Sequence, residues 1–235
     1  MFIDLIQVKW SSDRIQAEFA QRCQSDRESQ MKINRSVIIL HAILVILESI
    51  AAFYMLSTEG LPVFRYYTVD SNIAQLIVSV CFLICFIRRK EIPKALTVAH
   101  LVCAVCLTVT FIIAAFVLMP QSTFEYYFLN NVAPINHFLG PLLSVIALML
   151  SREEIPKIAA VAPAAVSLTY GFIALFLNYI KVLEGPYFFL EVYSTPVQTI
   201  VMWFVIIFIL CTGLTLAYMF LHSRICRSKS KLMNK

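Results

Sequence analysis

Six long apolar runs separated by short polar segments dominate the chain: Ser36–Ser57, Val69–Phe86, Ala95–Met119, Pro134–Leu150, Ala160–Ile180 and Pro196–Leu221. A helix needs about 20 residues to cross a hydrocarbon layer roughly 30 Å thick, with a range of about 17–25. Lipid offers no partner to backbone N–H and C=O groups, so each run is expected to be a helix that satisfies them internally. The pattern predicts an all-α polytopic membrane protein, a bundle of six transmembrane helices over residues 35–222. Residues 1–34 read as a cytoplasmic N-terminal segment, either a short interfacial helix or a loosely docked arm, and 223–235 as a basic cytoplasmic tail.

Charge orients the bundle. Of 19 Lys and Arg residues, six lie before the first run (Lys9 to Arg35) and five after the last. The second connection holds Arg88, Arg89, Lys90 and Lys94, and the fourth holds Arg152 and Lys157. The other three connections hold only Arg65 and Lys181. By the positive-inside rule both termini face the cytoplasm and the number of crossings is even. The poor-in-charge outer connections are aromatic instead: 64–67, 124–128 and 187–189, as expected of a belt at headgroup level. The inner ones, Arg88–Pro93 and Ser151–Pro156, leave no room for a soluble catalytic domain.

Composition agrees: 60% hydrophobic and 14% charged, unlike a soluble domain of this length. The formal charge of +5 is a membrane-surface signal rather than a nucleic-acid one. Residues 1–35 are charged and polar and do not read as a cleavable leader. Cys81, Cys85, Cys103, Cys106 and Cys211 fall inside predicted helices, with Cys23 and Cys226 on the cytoplasmic side, so no structural disulfide is expected.

Ionisable residues at membrane depth mark function by default. Two layers emerge. His41 and His100 are expected in the inner third, with Glu48 one heptad above His41 on the same face. The outward layer holds Thr68, Asp70, Asn72 and Gln75 at the head of the second helix, and Asn131, Asn136 and His137 at the head of the fourth. Counted from the cytoplasmic ends, Thr68 stands roughly 30 Å up and His137 roughly 22 Å. By residue type alone, Thr68 is first a helix N-cap, and a lone membrane histidine first a partner for a backbone carbonyl.

Two short elements point further. Phe64-Arg65-Tyr66-Tyr67-Thr68-Val69-Asp70-Ser71-Asn72 resembles the aromatic–Thr–x–x–Ser–Asn head of a helix in a family of small membrane proteins. That family includes androgen-induced protein 1, the androgen-dependent TFPI-regulating protein and many bacterial relatives. Asn136-His137-Phe138-Leu139-Gly140-Pro141 looks like its second element, a His with a nearby Pro. The resemblance covers about residues 36–222. It implies an integral-membrane hydrolase, or acyltransferase, acting on lipid or fatty-acyl esters, with Thr68 as nucleophile and His137 as general base. Asp70, Asn72 and Asn136 would support the site, and the first-turn N–H groups beside Thr68 would receive an oxyanion. The expected partner is a membrane lipid or acyl ester, with no cofactor, metal or nucleic acid, and a bacterial member would sit in the plasma membrane.

Other classes keep a hold on the same residues. Glu48, His41 and His100 could relay protons or ions in a transporter or channel. His41 and His100 could hold a haem. A non-catalytic scaffold would need none of them. Metal hydrolysis fits worst, because no His-Glu-x-x-His is present.

Overall fold

The computed structural model describes residues 35–233, with side chains through Cys226; the segment 1–34 and its expected interfacial helix lie outside the described residues. All regular elements among the described residues are helical. Helix α1 spans Arg35–Glu59, α2 Tyr67–Ile87, α3 Lys94–Gln121, α4 Phe124–Phe128, α5 Ile135–Leu150, α6 Lys157–Tyr179 and α7 Val197–Met233.

Among the described residues, five helices are long and apolar enough to cross a membrane: α1, α2, α3, α6 and α7. The expected fourth crossing is instead a shorter apolar helix, α5. Its sixteen residues reach about 24 Å at ~1.5 Å per residue. The cause is local. Asn131 has a positive φ of 48°, and Pro134 follows it, so the chain turns into the bundle before helix can form. At the other end α7 outruns its expected boundary at Leu221, and most of the anticipated tail is a continuation of that helix to Met233.

Packing follows sidedness. On α1 the buried positions are Val37, His41, Leu44, Glu48 and Ala51, spaced alternately by four and three, while Ile39, Ile46, Ile50 and Phe53 are exposed. That spacing makes a single seam along the helix. The seam carries both ionisable residues inward and leaves the isoleucines for lipid. Helix α3 is the axis of the molecule. Leu101, Ala104, Val105, Leu107 and Val109 are essentially inaccessible, and α2, α5, α6 and α7 pack around them. The terminal turns of α3 (Ala114–Leu118) and the first turn of α5 (Ile135–Leu139) are wound as π-helix, an arrangement that recurs at functional sites.

Candidate functional site at the heads of helices α2 and α5

Helix α2 starts at Tyr67, with Tyr66 as its N-cap and no side-chain cap. Thr68 therefore lies within the first turn and does not cap it, contrary to the simplest expectation for its residue type. The N–H groups of Val69 and Asp70 both bond the Tyr66 carbonyl. The phenol of Tyr187 lies near the Thr68 hydroxyl and the main chain of Tyr67 and Thr68. Burial pushes the Tyr187 phenol up to about 12, and those neighbours pull against the rise. Tyr187 sits in the connection between α6 and α7, 119 positions from Thr68. Sequence reading placed Tyr187 only in an aromatic belt.

The head of α5 presents His137. Its Nδ1 donates to the Tyr127 carbonyl at 2.8 Å, and its ring meets the edges of Tyr127 and Phe128. A carbonyl can only accept, so Nδ1 carries the hydrogen and Nε2 of the neutral ring keeps a lone pair. The short helix α4 thus sets the tautomer of a histidine on α5.

Asn72 joins the two heads. Its amide nitrogen donates to the Thr68 carbonyl at 2.7 Å and to the Asn136 carbonyl at 3.2 Å. The depth difference expected from residue counting is taken up here, because Asn136 stands level with the first turn of α2. Among the described residues no hydrogen bond joins Thr68 to His137. Thr68 faces an apolar cleft between α3, α6 and α7, lined also by Tyr187, Ser167, Trp203 and Phe204. Asp70 lines a different cleft, with Arg65, Ser71 and Cys103.

Deeper in the bundle the second set of expected residues divides. His41 and His100 are together, with ring centroids 4.9 Å apart and Phe82 stacked on His41 at 4.3 Å. No gap between the two imidazoles admits a macrocycle, so a shared axial haem does not fit. A buried chain of hydrogen bonds links them. His41 Nδ1 pairs with Ser79 Oγ at 3.1 Å, Gln75 donates to Ser79 at 2.9 Å, and Ser144 donates to Gln75 at 2.6 Å. His100 Nε2 donates to the Ser144 carbonyl at 3.2 Å. Glu48 is not in this group. It sits above it, where a Cβ built on Gly140 would lie 2.5 Å from Glu48 Oε1 and 2.9 Å from Asn72 Oδ1. Glu48, expected near mid-membrane one heptad above His41, stands with Asn72 around Gly140.

Ser79 and Ser144 were not singled out from the sequence, although Asn72, Gln75 and Ser79 share the inward face of α2 at helical spacing. His222 was also missed, because it lies one residue beyond the last apolar run. It bonds the Ser151 carbonyl at 3.2 Å in the C-terminal part of α7. Ser151 in turn borders a wide cleft lined also by His41, Arg89, Lys94, Arg152 and Glu153. Cys81, Cys85, Cys103, Cys106 and Cys211 are free thiols, and no group of three or more His, Cys, Asp or Glu side chains able to hold a metal occurs among the described residues.

Comparison with protein-family models, with curated proteins and with solved structures finds no match to this chain.

Proposed function

We propose that this chain is an integral-membrane hydrolase of lipid or fatty-acyl esters, with Thr68 as nucleophile and His137 as general base. The observation that carries the reading is the Asn72 clamp, which holds the first turn of α2 against the first turn of α5. The resemblance of residues 64–72 and 136–141 to the androgen-induced protein family supplies the roles. The His137 tautomer is the useful one: Nδ1–H is anchored on a carbonyl and Nε2 is free to take a proton. The apolar cleft beside Thr68 suits an acyl chain.

In this reading the Thr68 hydroxyl attacks the ester carbonyl, passing its proton to His137 Nε2. His137 then returns that proton to the departing alcohol, and water, deprotonated by the same nitrogen, releases the acid. A second alcohol in place of water would make the protein an acyltransferase. The substrate carbonyl would be received by the first-turn N–H groups beside Thr68, with the Tyr187 phenol lining the same cleft.

The accompanying topology is six crossings with both termini inside, α5 being a short crossing shielded by its neighbours, in the plasma membrane of a bacterial host. Thr68 and His137 then open toward the outer leaflet. Purified protein assayed on fluorogenic fatty-acyl esters tests the chemistry. Thr68→Ala and His137→Ala should each lower turnover about 10²–10⁴-fold with folding intact, and Thr68→Ala should lose labelling by a fluorophosphonate. Full turnover in both folded variants refutes the assignment.

A further inference from the structure

Three buried acceptor oxygens in the middle of the bundle have no hydrogen to share. Glu48 and Asn72 are 1% and 4% exposed. Both carboxyl oxygens of Glu48 and the amide oxygen of Asn72 lack a hydrogen-bond partner. The orientation of Asn72 is not in doubt on chemical grounds. Its nitrogen has two hydrogens, and both are given, to the Thr68 and Asn136 carbonyls. A flipped amide would set oxygen against two carbonyls. Asn72 Oδ1 is thus a buried acceptor with no donor.

The remaining lining is also oxygen. The first turn of α5 is a π-turn, in which the Ile135 carbonyl accepts from Gly140 N–H and keeps a second lone pair. A Cβ on Gly140 would stand 2.5 Å from Glu48 Oε1, 2.9 Å from Asn72 Oδ1 and 3.0 Å from the Ile135 oxygen. The three oxygens therefore converge within a few ångströms over a residue whose missing side chain makes room for them. An uncompensated carboxylate and an unpaired amide oxygen are costly to hold in such surroundings, and a cation or a proton among them removes that cost.

We propose that Glu48, Asn72 and the main-chain oxygen of Ile135 bind a monovalent metal cation. One carboxylate supplies one negative charge, which an alkali ion cancels and a divalent ion would overshoot. All three ligands are hard oxygens, suited to closed-shell cations and not to thiolate- or imidazole-seeking metals. Irregular helix turns that lend carbonyls to ions at membrane depth are an established device of membrane proteins. The site lies directly beneath the Asn72 clamp, so an ion here would steady the junction of α2 with α5. It does not depend on ester hydrolysis at Thr68, and the two assignments fail separately.

The test uses the full-length protein in detergent and radioactive sodium and rubidium as probes. Wild type should retain at least one tracer saturably, displaced by the unlabelled salt and not by choline chloride. Glu48→Gln should reduce that retention at least tenfold. Gly140→Ala, which drives a methyl group into the oxygens, should reduce it similarly and stands in if Glu48→Gln does not fold. Thermal midpoints at equal ionic strength should rise in the binding salt relative to choline in wild type only. Saturable binding of neither tracer by wild type, or undiminished binding by folded Glu48→Gln, overturns the proposal. So does an infrared band of a protonated carboxylic acid that is present in wild type under binding salt and absent from Glu48→Gln. That band would make the positive group a proton on Glu48, donated to Asn72.

Discussion

At the scale of single residues, the least expected participant is Tyr187. Its phenol lies over the start of α2, beside Thr68 and in the cleft that Thr68 lines. Tyr187→Phe would remove the hydroxyl from beside Thr68 while keeping the ring. We expect it to lower stability by about 1 kcal/mol, read as a thermal shift in detergent, and an unshifted midpoint would show that the hydroxyl contributes nothing there. Asn72 is the other residue whose role exceeds its size, since one amide bonds the heads of both α2 and α5.

At the scale of elements, α3 bears the packing and α5 the irregularity. Leu101 on α3 is fully buried among Ala104, Val105, Leu148 and Cys211. Lipid is as apolar as leucine, so the transfer term is small in a membrane and the lost packing contacts dominate. Leu101→Ala is expected to cost about 2 kcal/mol, the lower end of the soluble range, measurable by denaturant titration in mixed micelles. The inner connections have a charge problem of their own. Burial, and then the nearby Glu91, hold the Glu153 carboxyl above the usual carboxylate range. An acid raised on folding holds its proton more tightly in the folded state. Its contribution is complete below its unfolded pKa and is lost as pH rises through the folded one. Thermal midpoints should therefore decline from mildly acid toward neutral pH, and Glu153→Gln should flatten that decline; an identical slope in the variant would assign it elsewhere.

At the scale of the whole molecule, the buried faces of the helices gather polar residues into a central column, while the outer faces are apolar. The orientation in the membrane can be read directly. In a background without native cysteines, Lys181→Cys should react with an impermeant maleimide on intact cells, and Glu154→Cys only after permeabilisation. The reverse pattern would invert the topology.

Length and polarity of each apolar run were enough to make the helices, because a hydrocarbon environment allows few other backbone solutions. The seam of α1 was equally legible, since one periodicity puts His41 and Glu48 on the same side. The short α5 was not, because a run of apolar letters does not say where a turn at Asn131 and Pro134 ends and a helix begins. Nor was the company each polar residue keeps. Glu48 beside Asn72, Tyr187 over the start of α2, and Ser79 between His41 and Gln75 all depend on how helices distant in sequence rotate and slide against one another. That register is set by side-chain fit across interfaces, with Gly140 the clearest instance, and no single helix carries the information alone.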